Sequence, residues 1–256
     1  MTTELLLRHY LKELRMPTVA KQYEAMARDA QDRSLSYEAY LLALLEQEMH
    51  VREDNQRLQR LKRATFPIHK TLDTYEFHLM PSLSKQKTLA LAQGEFVQKQ
   101  ENVLLIGNSG TGKTHIATAI GVELIQQGYR VRFITANALV EELLVAKEEH
   151  RLRLFEKQWM KYDAVICDEL GYVPFTKMGA ELLFQFFSAR HERKSVILTS
   201  NLEFGDWVQL FGDEKMTAAL LDRLTHRAHI LLMNGESHRF RQTLQHQQAE
   251  KSDSFQ

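Results

Sequence analysis

The chain has 256 residues, of which 44% are hydrophobic and 26% are charged, and these ordinary globular proportions exclude a mainly disordered protein. Its 33 basic and 33 acidic residues give a net charge of zero, so binding to a polyanion would depend on a local basic patch. The single cysteine, Cys167, excludes an internal disulfide and a multi-cysteine metal site.

The hydrophobic pattern predicts no association with a membrane. No apolar run approaches the length of a bilayer-spanning helix, and the opening residues lack the basic and apolar segments of a secretory signal. We therefore expect a reduced, soluble protein of the cytoplasm.

Helical periodicity dominates the first part of the chain. A first apolar stripe, which Pro17 ends, is followed by a second stripe from Val19 to Ala30 and by a third helix that opens near Ser36 and runs to Arg63. We predict a small all-helical N-terminal domain over residues 1–66.

From residue 67 onward, short β-branched runs alternate with helical segments, which is typical of a parallel sheet buried between helices. The predicted strands are Asn102–Ile106, Val131–Thr135, Ala164–Cys167, Val196–Thr199 and Ala228–Met233. The predicted helices are Lys113–Gln127, Asn137–Lys161, Lys177–Arg193 and Glu214–His226. We predict one α/β domain with a five-stranded parallel sheet over residues 67–247, an irregular segment over residues 65–84, and a flexible tail over residues 248–256.

A phosphate-binding loop follows the first strand. Residues 107–114 read G-N-S-G-T-G-K-T, which matches the pattern G-x-x-x-x-G-K-[ST] between a strand and a helix. The glycines let backbone amides surround a phosphate, Lys113 reaches the β- and γ-phosphates, and Thr114 offers a hard oxygen to Mg²⁺. The predicted nucleotide-binding residues are Gly107, Asn108, Ser109, Gly110, Thr111, Gly112, Lys113, Thr114 and His115.

Polar residues end two other strands. Asp168 and Glu169 follow an apolar strand, and ligands of open α/β sheets bind at such carboxyl ends. We predict that Asp168 holds the metal and that Glu169 activates a water molecule. Asn201, after the next strand, is predicted to hydrogen-bond that water or the γ-phosphate, although Asn is also common in plain turns.

These motifs resemble the AAA+ ATPases, and within them the initiator and helicase-loader branch that holds the DnaC-type loaders and the IstB transposition-helper ATPases. The likeness to the IstB-like proteins covers nearly the whole chain, including Ile106–Thr118, Cys167–Gly171, Thr199–Asn201 and Ala219–Leu224. The resemblance implies an AAA+ three-layer αβα core that follows the helical N-terminal domain. The N-terminal domain would serve oligomerisation or contact with DNA or a partner. It also implies that Asn201 is a sensor and that Arg223 reaches into the site of a neighbouring subunit; a helix-surface ion pair is the alternative for Arg223. Arg239 is a weaker candidate for a second sensor.

Basic residues suggest where DNA could bind. Between the second and third strands lie Lys147, Arg151, Arg153 and Lys157, which composition alone assigns to a solvated, ion-paired helix face. In the related proteins an extra helix at this place contacts nucleic acid, so the resemblance favours contact of these residues with DNA phosphates.

The histidines show no spacing typical of metal ligands. We interpret them, among them His150, His191, His226, His229 and His246, as surface or packing residues.

The resemblance implies an ATP hydrolase that uses ATP and Mg²⁺ as an assembly switch. We expect an ATP-dependent homo-oligomer on double-stranded DNA that assists an IstA-type transposase of an insertion sequence in selecting target DNA. A DnaC-like replicative helicase loader is the first alternative. A P-loop kinase for a small molecule is the second, and the adjacent Asp168 and Glu169 argue against it because a kinase should avoid an activated water.

Overall fold

Three helices form the first part of the chain, as the helical periodicity predicts: α1 (Thr3–Glu13), α2 (Pro17–Asp32) and α3 (Tyr37–Ala64). The computed structural model describes residues 3–68 and 70–235, so that Arg239, His246 and the expected tail lie outside the described residues. Backbone contacts divide the chain into two units, Met1–Gln59 and Arg60–Gln256, and the division falls inside α3. The domain boundary expected at residue 66 stays a prediction.

The N-terminal unit has a small core and a buried carboxylate. Leu11, Val19 and Leu44 form its cluster of buried apolar side chains. Glu48 of α3 is 2% exposed, and its Oε2 accepts hydrogen bonds from the backbone N–H groups of Thr18 (2.8 Å) and Val19 (3.1 Å). Both residues lie in the first turn of α2, where the side chain of the preceding residue, Met16, does not cap the helix. Glu48 therefore caps α2 from a distant part of the chain and places a negative charge at its N-terminus.

Opposing effects act on the pKa of Glu48. Burial raises this pKa, but the hydrogen bonds from Val19, Arg52 and Thr18 outweigh burial and hold the pKa below the ordinary value of 4.5. The Arg52 guanidinium lies 2.8 Å from Glu48 Oε1, so the carboxylate is paired as well as hydrogen-bonded.

The second unit contains a parallel sheet and the remaining helices. The strands are β1 (Asn102–Ile106), β2 (Val131–Thr135), β3 (Ala164–Leu170), β4 (Ser195–Ser200) and β5 (Ala228–Leu232). The helices are α4 (Lys85–Ala92), α5 (Glu95–Gln98), α6 (Lys113–Gln126), α7 (Ala136–Glu148), α8 (Leu152–Trp159), α9 (Lys177–Arg190), α10 (Val208–Phe211) and α11 (Glu214–Thr225). Short 3₁₀ helices lie at Phe77–Leu79 and Phe204–Trp207.

The five strands are all parallel and follow the order β2-β3-β4-β1-β5. Successive residues of β1 enter two different cores: Val103 and Leu105 pack with α4 and α6, whereas Leu104 and Ile106 pack with α7, α9 and α11. Both faces of the sheet are thus covered by helices, which confirms the predicted three-layer αβα architecture.

One predicted helix is wrong. The pattern predicts a single helical stretch over Asn137–Lys161, but the structure has α7 and α8 with a turn between them, in which His150 has a φ of +56°. The backbone N–H of His150 donates to the carbonyl of Lys147, and that of Arg151 donates to the carbonyl of Ala146, which ends α7. The left-handed residue redirects the chain before α8 begins.

Two buried polar side chains hold helices to the sheet. Arg190, at the end of α9, is 1% exposed and donates to the carbonyl oxygens of Trp159, Tyr162 and Ser195. Its burial lowers the pKa of the guanidinium to about 9. Asn102, at the start of β1, donates to the carbonyl of Leu224 in α11 and accepts from the backbone N–H of Val196 in β4, both at 3.0 Å. Asn102 therefore joins the last turn of α11 to two neighbouring strands.

Candidate nucleotide-binding site

The loop over residues 107–112 connects β1 to α6, where the sequence pattern predicts it. Gly107 has a φ of +149°, and a Cβ there would lie 2.3 Å from the carbonyl oxygen of Met233. Gly112 has a φ of +89°, and a Cβ there would lie 2.7 Å from the ring of Tyr75. Both positions therefore require glycine, for backbone conformation and for close approach.

Lys113 lies inside the curve of this loop. Its side chain is largely buried, and its Nζ donates to the carbonyl oxygens of Gly107 and Asn108, each at 2.7 Å. The ammonium group is thus held among the backbone groups that would surround a phosphate, and at the N-terminus of α6, whose dipole favours an anion.

Thr114, Asp168 and Thr199 form a hydrogen-bonded cluster beside the loop. The Thr114 hydroxyl lies 3.0 Å from each carboxylate oxygen of Asp168, and the Thr199 hydroxyl donates to Asp168 Oδ1 at 2.6 Å. Burial raises the pKa of Asp168, while the bonds from Thr199 and Thr114 and the charge of Lys113 oppose this rise. The side chain predicted to hold a metal is therefore buried and oriented by two hydroxyl groups.

Glu169 adopts a left-handed conformation with a φ of +59°, and the pairing of β3 with β4 is irregular between Cys167 and Leu170. Its backbone N–H donates to the Thr199 hydroxyl at 2.9 Å, so Thr199 contacts both acidic residues. A non-glycine residue in this conformation stores strain, and such strain is concentrated at functional sites. The bulge directs the exposed Glu169 side chain to the cavity described next.

A cavity of about 470 Å³ adjoins the loop. Its polar wall contains Ser109–Thr114, His115, Glu169, Thr199 and Asn201. Its apolar wall contains Pro67, Ile68, Tyr75, Leu79 and Met80. The structure thus brings most of the predicted site residues to one cavity, and it adds an apolar wall from the segment that the sequence predicts to be irregular.

Tyr75 joins the two walls. Its hydroxyl donates to the carbonyl oxygen of Thr111 at 3.1 Å, and its ring packs edge-on against Phe77 and His115. Burial raises the pKa of Tyr75 to about 12, so the hydroxyl keeps its proton at neutral pH. His115 in turn lies 2.9 Å from the carbonyl oxygen of Thr71, so the predicted residue His115 helps to hold the apolar segment over the loop.

Arg223 lies away from the cavity of its own chain. It is in the last turn of α11, donates to the carbonyl oxygen of Ala219 at 2.7 Å, and lies over the Phe184 ring, with the guanidinium carbon 5.1 Å from the ring centroid. Within residues 3–68 and 70–235 it forms no ion pair of the kind considered from the sequence. Aromatic stacking and one backbone bond orient its charged group instead.

The four basic residues predicted to contact DNA are all exposed. Lys147 lies in the last turn of α7, Arg151 precedes α8, and Arg153 and Lys157 lie on α8. Arg151 pairs with Glu149. The residues do not line the cavity, and the turn at His150 distributes them over two helices.

Thr199 and Tyr75 are the functional candidates that sequence reasoning missed. Thr199 belongs to a strand that is buried on both faces, so alternation of polar and apolar residues gives no sign of its orientation. Tyr75 lies between helices in a segment without periodicity. Only the likeness of Thr199–Asn201 to related proteins marked the first of these positions.

The sheet order, the loop between β1 and α6, and the acidic pair at the end of β3 are those of the P-loop fold found in AAA+ ATPases. The DnaA structure from Aquifex aeolicus with bound AMPPCP aligns with 66% of this chain and 51% of its own, at a TM-score of 0.55 and 16% identity. The DnaI structure aligns with 64% of this chain and 90% of its own, at a TM-score of 0.53 and 19% identity. At these identities the comparison establishes the shared fold.

The sequence comparisons give the family. The family profile for IstB-like ATP binding protein matches residues 9–246. A protein of insertion sequence IS5376 from Geobacillus stearothermophilus, named for ATP binding, is 37% identical over 233 residues, which cover 91% of this chain and 93% of the relative. A similarly named protein of insertion sequence IS21 from Pseudomonas aeruginosa is 37% identical over 232 residues, with coverage of 91% and 88%. The chain therefore belongs to the IstB-like ATP-binding proteins.

Among the described residues, no helix combines the length and the apolar character needed to cross a bilayer.

Proposed function

We propose that the chain binds ATP with Mg²⁺, hydrolyses it, and uses the bound triphosphate to assemble with further copies of itself on double-stranded DNA, in support of an insertion-sequence transposase. The observation that carries this proposal is the hydrogen bonding of Thr114 to Asp168, which joins the phosphate-binding loop to the acidic end of β3. The insertion-sequence origin of the relatives supports the transposase as partner over a replicative helicase.

Thr114 and Asp168 fit a magnesium ion. Both offer hard oxygen ligands, and their oxygens lie 3.0 Å apart. Neighbouring ligands of an octahedral ion with bonds of about 2.1 Å lie about 3.0 Å apart, so the two side chains match this geometry. When bound, Mg²⁺ supplies positive charge to the β- and γ-phosphates. Thr199 keeps the Asp168 carboxylate in the orientation that such binding needs.

The two walls of the cavity suit the two parts of ATP. Lys113 and the backbone of the loop are in position to donate to phosphate oxygens. The wall formed by Pro67, Ile68, Tyr75 and Met80 offers apolar and aromatic surface to the base. Glu169, on its bulge at the polar wall, orients and deprotonates the attacking water, and Asn201 donates to that water or to the γ-phosphate.

Arg223 completes the site of a neighbouring copy. It lies on the surface away from its own cavity, and its guanidinium is oriented by Phe184 and Ala219 rather than by an acidic partner. A guanidinium supplied across an interface stabilises the developing charge of the γ-phosphate. Loss of that phosphate removes the bridge between subunits, so hydrolysis ends the assembled state.

Nucleotide-dependent assembly is tested by sizing the protein with duplex DNA in ATP, ADP or no nucleotide. We expect a large complex with ATP and smaller species in the other two conditions. Lys113→Ala should fail to bind ATP and fail to assemble. One size in all three conditions would contradict the assembly switch, and co-purification with a replicative helicase without binding to duplex DNA would favour the loader.

Trans action is tested by mixing Lys113→Ala with Arg223→Ala. In each variant alone, every shared site lacks either Lys113 or Arg223. In the mixture, some interfaces place the intact loop of an Arg223→Ala chain opposite the intact Arg223 of a Lys113→Ala chain. We therefore expect the mixture to hydrolyse ATP faster than either variant alone. Lys215→Ala, which removes an exposed cation from the same helix, is the matched control and should hydrolyse ATP normally. Absence of recovery in every mixture would contradict the shared site.

The DNA contact is tested by the salt dependence of binding. Each lost phosphate contact lowers the slope of log affinity against log salt by about one. Lys157→Ala should lower this slope in the presence of ATP, whereas Lys215→Ala should leave it unchanged. Equal slopes for wild type, Lys157→Ala and the corresponding alanine variants of Lys147, Arg151 and Arg153 would move the DNA-binding surface elsewhere.

A further inference from the structure

Two histidines and a glutamate meet where α9 and α11 end. His191 follows the last residue of α9, Glu192 comes next, and His226 follows the last residue of α11. Each offers a ligand atom within 4.8 Å of those of the other two, and this trio is the one such group found in residues 3–68 and 70–235. The sequence interpretation assigns His191 and His226 to surface or packing roles, and this grouping makes them candidates for a further role as metal ligands.

His191 has the surroundings of a metal ligand. Its Nδ1 lies 3.1 Å from the backbone carbonyl oxygen of Arg223. A carbonyl can only accept, so Nδ1 carries the proton and Nε2 carries the lone pair. Metal-binding histidines commonly donate their second ring nitrogen to a backbone carbonyl in this way, which fixes the ring and the tautomer. The His191 backbone is fixed as well, since its N–H donates to Phe187 at the end of α9.

Glu192 and His226 face each other across the gap between the helices. His226 Nδ1 lies 3.7 Å from Glu192 Oε1, and both side chains are about half exposed. The His226 and His191 rings lie 5.7 Å apart, centroid to centroid. An ion pair between His226 and Glu192 requires a protonated imidazole and gives no role to His191. A bound cation would contact all three side chains, including the lone pair on Nε2 of His191.

We propose that His191, Glu192 and His226 bind a zinc ion that joins the C-terminal ends of α9 and α11. Two imidazole nitrogens and one carboxylate oxygen are a donor set that zinc favours, and three protein ligands leave a fourth position for water. Zinc–nitrogen bonds of about 2.0–2.1 Å in a tetrahedron place ligand atoms about 3.3 Å apart, so the ligands must approach by up to about 1.5 Å. The exposed Glu192 and His226 side chains can make this change by rotation about their own bonds.

The position gives the ion a structural consequence. Its anchor, His191, is bonded to the backbone of Arg223, and His226 is three residues further along the same segment. Zinc would therefore restrain the last turn of α11, which carries the guanidinium assigned above to a neighbouring site. This consequence rests on the proposed function, but the binding of the ion does not.

The test measures metal binding by the full chain without a histidine tag. Zinc is titrated against a chromophoric chelator, and Co²⁺ is added separately because its visible absorption reports tetrahedral coordination. Wild type should bind one ion per chain and give the tetrahedral Co²⁺ spectrum. His226→Ala and Glu192→Gln should each bind zinc at least about ten-fold more weakly and lose that spectrum. The control His78→Ala, at an exposed histidine outside the trio, should behave as wild type.

Two outcomes overturn the proposal: no zinc binding by wild type, or equal binding by wild type and the trio variants, which would assign the ion to other histidines. Glu192→Gln keeps the size of the side chain and removes its negative charge, so it decides the question even where His226→Ala does not fold. The assay contains no nucleotide, and Lys113→Ala should bind zinc as wild type does. Failure of the ATPase cycle and failure of the zinc site are therefore distinguishable.

Discussion

Thr199 offers a sharp test of how the acidic end of β3 is organised. Its hydroxyl is the shared partner of Asp168, to which it donates at 2.6 Å, and of the Glu169 backbone N–H, from which it accepts at 2.9 Å. Thr199→Val keeps the shape of the side chain but removes both bonds, in a position that is 1% exposed.

The expected cost follows from the two bonds. A hydrogen bond to a charged group contributes about 1.5–3 kcal/mol and a neutral one about 0.5–1.5 kcal/mol, so Thr199→Val should lower the free energy of unfolding by about 2–4.5 kcal/mol. For a unit of this size, that corresponds to a fall in melting temperature of about 4–18 °C. ATP hydrolysis should slow by at least about ten-fold, since about 1.4 kcal/mol of lost positioning already gives that factor.

The assay combines thermal unfolding without nucleotide and steady-state ATP hydrolysis. Thr199→Ser retains the hydroxyl and should recover most of the activity. Thr217→Val is the matched control: Thr217 is equally buried, but its hydroxyl donates to the backbone carbonyl of Asp213, far from the acidic pair in sequence. Thr217→Val should lose stability and keep its activity. If Thr199→Val hydrolyses ATP as fast as Thr217→Val does, Thr199 does not position Asp168 and Glu169.

The remaining predictions concern the base wall, the general base and the capped helix. Tyr75→Ala should weaken ATP binding by at least about ten-fold, since aromatic stacking on a base contributes about 1–3 kcal/mol, while Tyr75→Phe should stay near wild type in calorimetry. Glu169→Gln should bind ATP normally but hydrolyse it at least about 100-fold more slowly and accumulate the assembled form on sizing; normal turnover would remove Glu169 from catalysis. Glu48→Ala should lose about 2–3 kcal/mol of unfolding free energy in chemical denaturation, whereas the exposed control Glu46→Ala should lose almost none. Because the folded-state pKa of Glu48 lies below its ordinary value of 4.5, its stabilisation is complete above that pH and is lost as the pH falls further, so wild type and Glu48→Ala should converge in acid.

The sequence predicts the features of the fold and the site whose geometry depends on neighbouring residues in the chain. The glycines at 107 and 112 are required by their backbone conformation and by close contacts, and such requirements leave a recognisable pattern. The five strands are apolar runs bounded by turns, and their number and parallel arrangement are confirmed. The carboxylates at the end of β3 follow from the rule that parallel strands deliver ligands at their carboxyl ends.

What escaped prediction depends on contacts between distant residues. The turn at His150 interrupts a stretch whose composition favours helix throughout, and no glycine or proline marks it. Tyr75 reaches the loop from a segment without periodicity. His191 and His226 are separated by 34 intervening residues and meet only because α9 and α11 pack on the same side of the sheet.

Through Asn102, strand β1 connects the turn of α11 that carries Arg223 to the phosphate-binding loop at a fixed distance. One end of the strand holds the last turn of α11 through the carbonyl of Leu224, next to Arg223, and the other end runs directly into the phosphate-binding loop. A parallel strand of five residues spans about 16 Å, so each copy carries its loop and its Arg223 turn at a constant separation. Under the proposed trans action, in which each Arg223 serves the loop of the next copy, this separation is the same in every protomer and therefore contributes one fixed distance to the geometry of the assembly.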